Sequence, residues 1–230
     1  LLPGDPPQVK GWEFVAYWMP ARQVAGDYYD FVASNDQKVG VVVADVSDKG
    51  MPAALFMALT RSIVRASMDQ AVSPAEGITR ANRLICADST SSMFVTLFYA
   101  QVNAQDNQLV YVNAGHNPPL FFQCRPNATP SLTRLGRTGM ALGVVSDNIY
   151  KQFSLKFASG DFLVLYTDGV TDALDAQGNE FGLERLERLV MDTCSASAAD
   201  MMAAIEKAIK EFVGNAAIFD DITILVVKCL

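Results

Sequence analysis

The 230-residue sequence has one histidine, His116, and four cysteines, Cys86, Cys124, Cys194 and Cys229. A single histidine excludes a zinc site built on several imidazoles and leaves little for a histidine-driven hydrolase triad. The cysteines follow no CxxC or similar spacing, which predicts reduced thiols in a cytosolic protein. Basic runs are absent too. With 18 Lys and Arg against 25 Asp and Glu, the net charge is −7 and the pI is near 4.7. That balance argues against nucleic acid or an anionic membrane as partner, because phosphate contacts need a basic face. Charges interrupt every apolar stretch well short of the ~18 residues of a transmembrane helix, so membrane insertion is not expected. Low-complexity runs and internal repeats are also missing.

What is present describes an ordered protein. Half of the residues are hydrophobic and 19% are charged, and the length suits one large domain or two small ones. Residues 12–18 (WEFVAYW) and 28–32 read as strands. Residues 38–46 form a short continuous apolar run, the mark of a strand covered on both faces. Pro52 suits the first turn of a helix that continues over 53–68. In that helix Met51, Leu55, Met57, Leu59 and Ile63 are expected to face the core. Ser73, Pro74 and Glu76 make a capping-box pattern that starts a second helix running to Asp88. Strands are expected at 94–102, 108–112, 120–123, 161–166 and 222–227, with weak alternation over 149–157. Residues 126–139 read as a loop, 167–182 as a long polar connection, and 183–191 and 198–213 as helices. The strand connections look like hairpins, which predicts an α+β sandwich of mainly antiparallel sheets.

Aspartates punctuate the strand ends. Asp45 follows "VVVA", Asp168 follows "LVLYT", the Asp220–Asp221 pair precedes "ITILVV", and Asp27 precedes "YYDFV". Each alone fits a turn-forming Asp that accepts backbone hydrogen bonds. Together they could converge on one sandwich edge, where ionised carboxylates repel unless cations hold them. Oxygen ligands without His or Cys suit Mg²⁺ or Mn²⁺.

Six segments occur in order: "PARQVAGDYYDF" (20–31), "VVADVSDKGMPAALFMA" (42–58), "FVTLFYA" (94–100), "NAGHNPP" (113–119), "LYTDGVTDA" (165–173) and "DDITILVV" (220–227). Together they resemble the SpoIIE-like bacterial branch of the metal-dependent type 2C (PPM) serine/threonine protein phosphatases, over nearly the whole chain. The resemblance implies a four-layer α-β-β-α sandwich with two Mn²⁺ or Mg²⁺ ions at one edge. By motif position, Asp45 is similar to the bridging ligand, with the Val46 carbonyl beside it. Asp168 and Asp220 resemble the other core ligands, with Asp221 the alternative to Asp220. Asp27 resembles a residue that supports the site directly or through water, Asp172 the acidic residue for a third, weaker metal, and Arg22 the phosphate-holding arginine.

The implied reaction is hydrolysis of phosphoserine or phosphothreonine by a metal-activated water, with no protein nucleophile. Many eukaryotic relatives carry a His where this chain has Ser47, and a metal-bound water is the substitute expected to donate the proton to the leaving oxygen. His116, in a different motif, is read as structural.

Within this branch the usual substrate is a phosphorylated anti-sigma-factor antagonist, a STAS domain, and the phosphatase usually follows a sensor or receiver domain. Residues 1–10 are accordingly expected to end a linker from such a domain, with the phosphatase domain over 11–230, in the cytoplasm and with room for a homodimer. In the family the two helices after the Asp45 turn take part in switching by regulatory domains. Two rival classes remain: a catalytically silent module of the same fold that binds a partner, and a two-metal hydrolase on nucleic acid, which the acidic pI disfavours.

Overall fold

β-Branched and aromatic runs set the strands, and two five-stranded antiparallel sheets result. The computed structural model describes residues 2–35, 37–88, 93–125 and 129–230. Leu1 of the expected linker and residues 126–128 of the expected loop lie outside the described residues. One sheet has the order β1 (Trp12–Met19), β10 (Ile222–Cys229), β9 (Phe162–Tyr166), β6 (Leu120–Gln123), β7 (Ser131–Arg134). The other runs β2 (Tyr28–Asn35), β3 (Lys38–Val46), β4 (Val95–Asn103), β5 (Gln108–Ala114), β8 (Phe153–Lys156).

Helices α1 (Met51–Asp69) and α2 (Pro74–Asp88) cover the second sheet, and α4 (Leu183–Asp192) and α5 (Ala198–Val213) cover the first. A single turn, α3 (Asp168–Thr171), sits at the end of β9. These are the four layers implied by the motifs.

Three apolar layers hold them together. Phe14, Val41, Val43, Phe98, Leu163, Leu165 and Leu225 fill the space between the sheets. Val42 and Ala44 point the other way, into the layer under α1 and α2, so β3 is buried on both faces as its continuous apolar run predicts. Each such fully buried Val, Leu or Phe stabilises the fold by about 1.5–3 kcal/mol. Leu2 packs on the α1–α2 layer and Val9 joins the layer between the sheets.

The start of α2 follows its sequence pattern. The Ser73 hydroxyl accepts from the Glu76 amide at 3.3 Å, and the Glu76 carboxylate accepts from Val72 N–H at 2.9 Å. At α5, Ser197 caps the Asp200 amide at 3.1 Å, while the Glu13 carboxylate accepts the Ala198 N–H at 2.8 Å and ties the helix to β1.

Three expectations need correction. Met51, Leu55 and Leu59 are exposed (59%, 65% and 39%) and form a row along the outside of α1. Its buried face is Ala53, Phe56, Met57, Thr60, Val64 and Ser67, and Ile63 is half-buried. The helix is rotated by an ion pair that hydrophobicity does not register. Asp30 on β2, 1% exposed, accepts from Arg65 Nε at 2.5 Å and Arg61 Nη2 at 3.1 Å, which fixes that side of α1 against the sheet. The expected loop over 126–139 contains β7, which forms because β6 offers it an edge, although only Leu132 of the four residues is shielded from solvent. The polar connection after β9 begins with α3.

Replacing Asp30 by Asn leaves two guanidinium groups facing a neutral amide in a buried niche. The variant is expected to lose about 2–4 kcal/mol of stability, read as a lower urea midpoint at unchanged m-value.

Candidate metal centre

The sequence-predicted aspartates meet at one edge of the sandwich. Strand β3 ends at Asp45, β9 delivers Asp168 through Thr167, and β10 starts just after Asp220 and Asp221. Asp27 lies in the loop between β1 and β2. Among the described residues, no three acidic, His or Cys side chains are already gathered into a ligating cluster. The carboxylates nevertheless act on one another. Burial first, then the charges of Asp168 and Asp220, raise the Asp45 pKa to about 7. Asp168 is raised by burial and by Asp220 and Asp172.

Asp27 is buried most deeply, at 2% exposure. Its Oδ2 accepts from the Thr167 hydroxyl at 2.6 Å and the Thr223 hydroxyl at 2.8 Å, so it bridges β9 and β10. Burial and the neighbouring Asp45 push its pKa well up, and the two carboxyl groups are within hydrogen-bonding reach of each other.

Asp220 and Asp221 differ in what their carboxylates do. Asp221 accepts from Ala21 N–H at 2.8 Å and Gly26 N–H at 2.9 Å, which stitches the 20–27 loop to the start of β10. Both of its oxygens are thus committed to backbone. Asp220 Oδ2 instead meets Lys49 Nζ at 2.7 Å, with 42% of its side chain exposed. Asp220 Oδ1 accepts the Asp221 N–H at 3.0 Å, so both carboxylates are engaged and they differ in exposure and in the kind of partner.

Two glycines keep the edge tight. A Cβ on Gly169 would lie 2.0 Å from the Asp221 carbonyl oxygen, so only glycine lets these segments meet. A Cβ on Gly26 would crowd the Val46 carbonyl at 3.2 Å.

The remaining candidates lie at the margin. Asp172 is one turn beyond Asp168, exposed, and accepts from the Thr171 hydroxyl at 2.9 Å. Arg22 is exposed in the 20–27 loop and makes no ion pair among the described residues. Ser47 is tied down: its N–H donates to the Phe94 carbonyl at 3.0 Å and its hydroxyl accepts the Phe94 N–H at 2.9 Å. His116 is buried under the turn of its motif, with Nδ1 2.9 Å from the Thr96 hydroxyl and its N–H donating to Asn113 Oδ1. Burial pushes its pKa down to about 4, so it is neutral near pH 7.

Sequence reasoning missed Lys49. Its signal was present, a lone cation inside the "VSDKG" turn, but its partner lies 171 residues away. The donor set fits a hard divalent cation, since the side chains are all carboxylates, and the burial and carboxylate neighbours that raise Asp45 and Asp168 are both offset by positive charge.

An edge of carboxylates on a four-layer α-β-β-α sandwich defines a PP2C-type fold. The PP2C domain of SiaA from Pseudomonas aeruginosa superposes with a TM-score of 0.81 at 22% identity, over 94% of this chain and 85% of that one. RsbX in complex with magnesium gives a TM-score of 0.68 at 16% identity, over 97% of this chain and 98% of that one. The family model for stage II sporulation protein E (SpoIIE) matches residues 35–230. The chain belongs to the SpoIIE family. It is 32% identical over 230 residues to the phosphoserine phosphatase RsbU of Bacillus subtilis (strain 168), covering 99% of this chain. It spans 66% of the length of that relative.

The Asp45 shift has a pH consequence. A carboxyl group raised to about 7 takes up protons in the folded state that the unfolded chain has already lost. Its contribution to stability is therefore full below about pH 4 and is lost as the pH rises through about 7. Chelator-treated protein is expected to show a falling melting temperature from about pH 5 to 8, and Asp45→Asn should flatten that slope. An unchanged slope in the variant would assign the effect to other groups.

Proposed function

We propose that this chain is the catalytic domain of a metal-dependent protein serine/threonine phosphatase. The observation that carries the reading is the convergence of Asp45, Asp168 and Asp220 on one edge of a PP2C-type sandwich, where burial and then the neighbouring carboxylates raise the pKa values of Asp45 and Asp168. The similarity to a protein named as a phosphoserine phosphatase supports it.

In this reading Asp45, the Val46 carbonyl, Asp168 and Asp220 hold two Mn²⁺ or Mg²⁺ ions, and Asp172 serves a third. When bound, such a pair lowers the pKa of the attacking water and neutralises the phosphoryl oxygens. The charges of Asp168 and Asp220 both act on Asp45. Asp27, held by Thr167 and Thr223, supports Asp45 from within hydrogen-bonding reach. Asp221 supports the site by holding the loop that carries Arg22 and Asp27. Arg22, exposed and uncommitted among the described residues, is placed by sequence motif to fork onto the substrate phosphate.

A serine hydroxyl such as that of Ser47 is too weakly acidic to stand in for an imidazolium, so the proton for the leaving serine or threonine oxygen comes from water at the site. The substrate in this proposal is a phosphorylated STAS-type regulator, presented to a domain that follows a sensor or receiver domain through residues 1–10. No helix among the described residues is long and apolar enough to cross a membrane.

Hydrolysis of p-nitrophenyl phosphate and of a phosphorylated STAS domain should require Mn²⁺ or Mg²⁺. Asp168→Asn is expected to lower kcat/KM by at least about 100-fold with the fold intact by circular dichroism. Arg22→Ala should raise KM for the phosphoprotein. No turnover with any divalent ion, even with the upstream domain attached, would favour the silent partner-binding module.

A further inference from the structure

The turn that follows Asp45 places a lysine in the middle of the carboxylate edge. Lys49 Nζ donates to Asp220 Oδ2 at 2.7 Å and to the Phe219 carbonyl at 3.0 Å. Local backbone aims this side chain. Asp48 at φ 78° and Gly50 at φ 84° flank Lys49, both in the left-handed region that non-glycine residues rarely adopt. The Asp48 carboxylate accepts the Lys49 N–H at 2.9 Å, and Ser47 is braced on Phe94, so the turn is held from both sides. The turn thus carries the ammonium group to a carboxylate 171 residues away.

We propose that Lys49 is an internal counter-ion of the metal-free site, occupying Asp220 until a divalent ion displaces it. This rests on the reading that Asp220 is a metal ligand. Asp220 has one outward oxygen engaged by Lys49 and its other oxygen, Oδ1, engaged by the Asp221 N–H at 3.0 Å. An ion taking up Asp220 must therefore separate the ammonium group from Oδ2. The exchange of one cation for another keeps the carboxylates from facing each other uncompensated before loading. It also ties loading to the turn from which α1 departs one residue later, at Met51. Both partners are about two-fifths exposed (43% and 42%), so the contact is a weak one, readily exchanged and sensitive to salt.

The test is Mn²⁺ binding to the chelator-stripped domain by isothermal titration calorimetry at low ionic strength, without substrate. Lys49→Met is expected to bind Mn²⁺ about three- to tenfold more tightly than wild type, and Lys49→Arg to bind as wild type does. The gain should shrink as salt is raised. Lys49→Gln repeats the measurement should the methionine variant not fold. Equal or weaker Mn²⁺ binding in the neutral variants would overturn the counter-ion role while leaving the metal centre standing. Absence of Mn²⁺ binding to wild type would instead overturn the metal centre, and this inference with it.

Discussion

Repulsion among carboxylates at one edge of the sandwich is the constraint on which the rest of this structure turns. Asp45, Asp168 and Asp220 come from three strand ends, and each raises the pKa of a neighbour. A fold that brings such groups together must resist their separation. Resistance comes from the two sheets, whose central strands β3, β9 and β10 are buried along most of their length. It comes also from groups that are not themselves candidates for an ion: Thr167 and Thr223 around Asp27, and the Ala21 and Gly26 amides around Asp221.

These supporting bonds sort the acidic residues by environment. Asp27 is sealed between two hydroxyl groups, Asp221 is consumed by backbone amides, and Asp220 faces outward. Residues adjacent in sequence thus meet different surroundings, one tied to loop amides and one paired with Lys49 at the surface. Ser47, two residues after Asp45, likewise has its hydroxyl oxygen occupied, by the Phe94 amide. Chemistry at this edge is assigned as much by which polar atoms are already satisfied as by which residue types are present.

Much of the architecture is legible in the sequence, because strand-ending aspartates and both-face apolar runs are local signals. The buried run before Asp45 predicts β3 to the residue, and the capping pattern at Ser73 predicts the start of α2. Three features were not legible for a shared reason. The buried face of α1 includes Thr60 and Ser67 and excludes Met51, Leu55 and Leu59, since the Asp30 ion pairs decide the rotation of the helix and they form across 31 and 35 residues. Strand β7 depends on an edge offered by β6 and not on its own composition. The engagement of Asp221, unlike that of Asp220, rests on amides in a loop about 200 residues away. Periodicity reports what a segment prefers; these outcomes were set by what it meets.

The close approach at Gly169 gives the site two walls of different character. On the β9–β10 side, the spacing between the segments that carry Asp168 and Asp220 is a contact between main-chain atoms, with no side chain interposed. That dimension is a hard-sphere length. It does not relax by rotamer changes and tolerates no added methyl group. On the β3 side, Asp45 is followed by a turn whose shape depends on two left-handed residues and a few hydrogen bonds. The two sides of the edge are thus set by different means, one by main-chain packing and the other by backbone conformation and hydrogen bonds within a turn.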